Sequence, residues 1–189
     1  MAEAMNEAKL REWMAKMGPR LITLSAGICR DRHRAEEIVQ EAFVKLWRQP
    51  PEAGEVAFSS WLRRVVTNLS INALQRDRRP SALPAYSDDP AMRSARSDSP
   101  GASADTREQL DLVRAAMDRI DESKRAILML RVFDQLSYED IASCLGVPVG
   151  TVMSRLNRAR SALMQEMETI KQESREAPTT YEFRRYKEG

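Results

Sequence analysis

Leu136-Ser137-Tyr138-Glu139-Asp140-Ile141-Ala142-Ser143-Cys144-Leu145-Gly146-Val147-Pro148 has the form of a short helix, a sharp turn and the start of a second helix. Ser137 is a natural N-cap, because its hydroxyl can accept from an amide of the first turn. Asp140, three residues on, supplies a shortened capping box. Ile141, Ala142 and Leu145 recur at helical spacing and form a stripe to be buried. Gly146 tolerates the positive φ that ends a helix, and Pro148 suits the first turn of the helix that follows. Helix, glycine turn, helix is the helix-turn-helix pattern.

In the second of these helices Val152, Leu156, Ala159 and Leu163 point inward. Thr151, Ser154, Arg155 and Arg158 are left on the outer face, with Arg160 toward one edge. No acid lies between Gly150 and Gln165. Hydroxyls and arginines bond phosphates and base edges in a major groove, and Asn157 can bond adenine in bidentate fashion. Upstream, residues 110–120 are amphipathic, with Leu112, Val113, Ala116, Met117 and Ile120 on one face, and a further helix is expected over 123–133.

Between Pro80 and about Thr106 apolar periodicity vanishes, and Pro80, Pro84, Pro90 and Pro100 punctuate a serine-rich run. A structureless stretch of that length is improbable inside one compact domain, so it reads as a flexible linker between two. Before it, the chain reads helical throughout. Trp13, Met17, Leu21 and Leu24 recur at helical spacing, as do Ile38, Ala42, Val44 and Leu46 with the flanking Phe43 and Trp47. Residues 34–48 lack glycine and proline until Gln49-Pro50-Pro51 stops them. A third helix is expected to open near Ser59 or Ser60 and to carry Trp61, Leu62, Val65, Val66, Leu69, Ile71 and Leu74. The β-branched Val65-Val66-Thr67 run would also suit a strand, but the spacing and length favour helix. The fold class is therefore all-α: two small helical domains joined by a flexible linker. The boundaries are 1–79 for the first domain, 80–107 for the linker, 108–169 for the second domain and 170–189 for a tail.

The 189 residues carry 30 Lys/Arg and 28 Asp/Glu, a net charge of +2 that says little by itself. Its placement says more: residues 1–80 hold 14 basic against 10 acidic residues. Two basic runs stand out, Arg63, Arg64, Arg76, Arg78 and Arg79 in the first domain and Arg155, Arg158 and Arg160 in the second. Two such runs suit two contacts with a polyanion as well as two solvated helix faces. No stretch approaches the ~18 apolar residues of a membrane span, which argues against membrane insertion. The N-terminus lacks the apolar core of a secretory signal, and two cysteines fit a reducing cytoplasm. One histidine, His33, in a turn beside Arg32 and Arg34, and two isolated cysteines fall short of a metal set, and no Gly-rich phosphate loop is present. An enzyme, a metal and a cofactor are not expected.

With both halves read, the chain resembles an extracytoplasmic-function (ECF) sigma factor, of the small two-domain branch of the bacterial sigma-70 family. Three blocks carry the resemblance. They are Arg34-Ala35-Glu36-Glu37-Ile38-Val39-Gln40-Glu41-Ala42-Phe43-Val44-Lys45-Leu46-Trp47-Arg48, Phe58-Ser59-Ser60-Trp61-Leu62-Arg63-Arg64-Val65-Val66-Thr67-Asn68, and the run from Leu136 through Arg160. The resemblance implies a region 2-like domain that binds core RNA polymerase through Glu37, Gln40, Glu41 and Phe43. It implies that Phe58, Trp61, Arg63, Arg64 and Asn68 contact the melted −10 element of promoter DNA. It further implies a region 4-like domain in which Thr151, Ser154, Arg155, Asn157, Arg158 and Arg160 hold the −35 element. The loop 49–57 resembles one that captures a flipped promoter base, although its Pro50-Pro51-Glu52-Ala53-Gly54-Glu55 departs from the common pattern. Met153 departs too, standing where Lys or Arg is usual. The implied function is promoter recognition and transcription initiation, with an anti-sigma factor as a further partner. A helix-turn-helix regulator acting without polymerase is the alternative, and a protein–protein adaptor a weaker one. The block at residues 58–68 has no reason to accompany a simple operator-binding domain. The tail, with Tyr181, Phe183 and Tyr186, exceeds the minimal family architecture.

Overall fold

The computed structural model describes residues 6–77 and 103–176. Arg78 and Arg79, most of the expected linker and the aromatic residues of the tail lie outside them. Seven α-helices follow in order: α1 (Glu7–Cys29), α2 (Arg32–Arg48), α3 (Phe58–Asp77), α4 (Ala104–Arg119), α5 (Glu122–Leu128), α6 (Tyr138–Leu145) and α7 (Val149–Glu176). A 3₁₀ turn, Gly54–Ala57, leads into α3, and a π-helical turn, Met129–Phe133, follows α5. The described residues contain no strand, so the Val65-Val66-Thr67 run lies in helix as its spacing favoured.

Local caps account for the helix starts. Asn6, Asp31, Ser103, Asp121 and Ser137 each accept a first-turn amide with their side chains. Such caps satisfy amides that have no partner within the helix. Because of Asp31, α2 begins at Arg32, and His33 sits in its first turn rather than in a connecting turn. Because of Ser103, α4 begins inside the stretch read as linker. Neither Ser59 nor Ser60 caps α3. The 3₁₀ turn runs straight into the helix at Phe58, and Ser60 Oγ donates to the Ala57 carbonyl at 3.0 Å.

Two apolar clusters hold the molecule together. The first lies among α1, α2 and α3, with Trp13, Met17, Leu21, Ile38, Ala42, Phe43, Leu46, Phe58, Leu62 and Val66. The second gathers Ile120, Ile127, Leu130, Ile141, Val152, Leu156 and Ala159 from the C-terminal half. It also takes in Leu24 and Ile28 of α1, with Ile71 and Leu74 of α3 packed against it. The second cluster therefore packs the C-terminal half against α1 and α3. Polar contacts reinforce the joint: Arg125 Nη1 donates to the Ile28 carbonyl at 2.6 Å, and Arg30 pairs with Asp118 at 2.8 Å. Gly27 makes room for Met129, whose Cε would lie 2.3 Å from a Cβ at that position. Cys29 and Cys144 are free and buried. Burial pushes both thiols up, Cys144 to about 11, so neither is a reactive thiolate at neutral pH.

Candidate nucleic-acid interface

The helix-turn-helix forms as its local signals dictate. Ser137 Oγ accepts from the Asp140 amide at 3.0 Å and donates to Asp140 Oδ2 at 2.8 Å. Gly146 adopts φ 66°, and the Val147 amide reaches back to the Ala142 carbonyl at 3.1 Å. The Pro148 carbonyl then accepts from Thr151 and Val152 at 2.9 and 3.2 Å, which places Pro148 just before α7 instead of in its first turn. Ile141 and Ala142 of α6 and Val152, Leu156 and Ala159 of α7 are buried, with Leu163 half-buried. These contacts fix which face of α7 meets water.

That face carries Ser154, Arg155, Asn157, Arg158 and Arg160 in exposed positions, with Thr151 half-buried at the helix start. Ser154 Oγ donates to the Thr151 carbonyl at 3.0 Å and keeps its lone pairs, and Arg158 Nε lies 3.3 Å from the Ser154 carbonyl. Among the described residues no carboxylate pairs with Arg155, Arg158 or Arg160. Three unneutralised guanidiniums on one helix face, at the N-terminal half of the second helix of a helix-turn-helix, suit phosphates and base edges. Met153 is exposed beside them.

In the first half the predicted residues divide. Arg64 and Asn68 are exposed one turn apart on α3, and Trp61 is half-buried. Arg63 is only 16% exposed and is held by Ser59 Oγ at 2.5 Å and by Asp134 Oδ2 at 2.7 Å. Phe58 is corrected: at 2% exposure it packs edge-on against Trp13, with ring centroids 5.6 Å apart, and cannot stack on a base. It positions the start of α3 instead. The preceding turn is tied down in the same way, since Glu55 accepts from Trp13 Nε1 at 3.1 Å and pairs with Lys9 at 2.6 Å. Those two donors hold the Glu55 carboxyl below the usual carboxylate range. Val56, beside it, is almost fully exposed.

On α2, Glu37, Gln40 and Glu41 line the outer surface, with Glu37 beside His33 at 3.5 Å and Glu41 beside Lys45 at 3.3 Å. Phe43 is also corrected, because it is 3% exposed and belongs to the core. Val44 and Trp47, grouped with the core stripe on sequence, are instead exposed. Val44 lies seven residues after Glu37 and so extends the same outer stripe with an apolar patch. Asp134, Arg20 and Arg125 carry the contacts between the halves, and sequence reading singled out none of them. Their partners lie 71 to 114 residues away, where no local pattern points.

This is the build of an all-helical DNA-binding protein with a second, separate polar surface. Comparison with known proteins specifies it. A family model described as Sigma-70 region 2 matches residues 13–80, and one described as Sigma-70, region 4 matches residues 110–163. The RNA polymerase sigma-H factor of Pseudomonas aeruginosa is 34% identical over 165 residues, spanning 82% of this chain and 84% of that protein. The ECF RNA polymerase sigma-E factor of Escherichia coli is 34% identical over 145 residues, spanning 71% of this chain and 74% of that protein. Among solved structures, CnrH in complex with the cytosolic domain of CnrY aligns with a TM-score of 0.61 at 22% identity, covering 87% and 90% of the two chains. The sigma factor RpoE in complex with the anti-sigma factor NepR, from Bartonella quintana, aligns with a TM-score of 0.58 at 20% identity, covering 84% and 96%. The chain belongs to the sigma-70 family, in its extracytoplasmic-function branch.

Proposed function

We propose that the chain is an ECF sigma factor that brings core RNA polymerase to promoter DNA and starts transcription there, as a binding protein with no bond chemistry of its own. The observation that carries this is the pairing of two surfaces on one fold. The outer face of α7 offers free arginines and an amide suited to a major groove, and the outer face of α2 offers Glu37, Gln40 and Glu41 with an apolar edge at Val44 and Trp47. An operator-binding regulator would need only the first of these, and the match over residues 13–80 adds to the case for the second.

In this reading Thr151, Ser154, Arg155, Asn157, Arg158 and Arg160 hold the −35 element. Arg63, Arg64 and Asn68, with Trp61 at the edge, hold the opened −10 strand. Their cations suit phosphates and the indole suits an unpaired base. Residues 1–79 and 108–169 are the two working domains. An anti-sigma factor is a natural regulatory partner, as in the solved complex of a family member with one. Among the described residues no helix is long and apolar enough to cross a membrane. Run-off transcription with purified core polymerase tests the proposal. Promoter-dependent transcripts that appear only with the chain support it, and duplex binding with no effect on core polymerase overturns it.

A further inference from the structure

Asp134 sits at the end of the π-helical turn after α5, and its side chain is 1% exposed. Both of its carboxylate oxygens are taken by arginines of the other half. Arg20 of α1 binds Oδ1 through Nε and reaches the Asp134 carbonyl through Nη2 at 3.1 Å. Arg63 of α3 binds Oδ2 through Nε at 2.7 Å. Two guanidiniums from separate helices thus converge on the two oxygens of one anion. Without an anion between them these like charges would repel, so the pair is built to hold one. A phosphodiester also presents two oxygens to such a fork, and Arg63 belongs to the stretch proposed for the opened promoter strand.

We propose that Arg20 and Arg63 form a single phosphate-binding pair for single-stranded promoter DNA, and that Asp134 covers this pair when the two halves are packed together. The DNA phosphate and the Asp134 carboxylate compete for the same donors. Binding the strand therefore detaches the turn 129–134 from α1 and α3, and the packed arrangement withholds DNA binding until it is displaced. Arg20 is the new DNA-binding residue in this scheme, and Asp134 is its internal competitor. The inference rests on the sigma-factor reading only for the source of the phosphate.

The test uses the full chain and a short fluorescein-labelled single-stranded DNA, with fluorescence anisotropy read across a salt series and small-angle scattering for compactness. Asp134→Asn should bind the strand severalfold more tightly than the wild type and show a larger radius of gyration. In the Asp134→Asn background, Arg20→Ala and Arg63→Ala should each weaken binding and each lower the salt slope by about 0.7, the share of one phosphate contact on a single strand. Unchanged affinity and compactness in Asp134→Asn would overturn the cover, and an unchanged slope in Arg20→Ala would overturn the pair. Should Asp134→Asn fail to fold, hydrogen exchange on the wild type decides. Amides of residues 130–136 should exchange faster when the strand is added, and equal or slower exchange refutes competition. None of these readouts involves polymerase, so failure of the run-off assay and failure of this inference are separate results.

Discussion

Replacing Arg125 by methionine should loosen both the C-terminal half and its joint to α1, and the structure says by how much. The Arg125 guanidinium is buried and donates to three carbonyls: Met117 through Nε at 2.8 Å, Ile120 through Nη2 at 2.8 Å and Ile28 through Nη1 at 2.6 Å. Burial, with Arg30 nearby, holds its pKa below the ordinary arginine value, so part of the gain from these bonds is offset by desolvation. Methionine removes that desolvation cost but leaves the carbonyls of Met117 and Ile120 without their donor. Each unsatisfied buried acceptor costs about 1–3 kcal/mol. The Ile28 carbonyl can regain water once the halves part, so its loss weakens the joint more than it unfolds either half. About 2 kcal/mol or more of lost stability in the C-terminal half is therefore expected. For a chain of this size, with its halves packed together, this lowers Tm by about 4 °C or more. Calorimetry on the full chain reads the shift directly. A Tm within about 2 °C of the wild type would refute the claim that the bonds to Met117 and Ile120 stabilise the C-terminal half.

Three further outcomes follow from the same geometry. Arg155→Ala and Arg158→Ala, both at exposed positions, should each weaken −35 binding by about 1–3 kcal/mol where a base is read, with unchanged melting, by gel-shift titration against promoter duplex. Ser137→Ala removes the acceptor for the Asp140 amide at 3.0 Å and should cost about 0.5–2 kcal/mol in urea titration, falling on α6 and so on the placement of α7. Asp121 supplies the last. Burial raises its carboxyl pKa, but the Lys124 side chain and amide and the Ser123 amide outweigh that and leave it lowered. A lowered folded-state value means its stabilisation is complete above the ordinary carboxylate range and is lost as pH falls through the lower one. Acid titration of Asp121→Asn should therefore show a shallower loss of stability in that window than the wild type, with the cap retained by the amide oxygen.

What could be read from sequence is what local chemistry decides. Ser137, Gly146 and Pro148 act on backbone groups within a few residues, so the helix-turn-helix was visible in one line of residues. The inward stripe of Val152, Leu156 and Ala159 follows from helical period alone and leaves the arginines outside. Periodicity was a poorer guide where apolar residues crowd. Between Ala42 and Trp47, five of the six side chains are apolar, so spacing could not tell that Phe43 and Leu46 turn inward while Val44 and Trp47 turn out. Phe58 was misassigned for a related reason, since an aromatic at a helix start suits DNA stacking and core packing equally until Trp13 is seen against it. The contact between the halves was not legible at all. Asp134 meets Arg20 and Arg63 only after three-dimensional folding, and a lone aspartate after a helix carries no mark of that role.

Sequencing the RNA 5′ ends made by purified core polymerase on fragmented genomic DNA, with and without the chain, asks whether this chain tells core polymerase where to begin. Under this reading start sites appear only with the chain and lie downstream of a shared two-block motif, with the upstream block lost for Arg155→Ala. Start sites that are the same with and without the chain would contradict it.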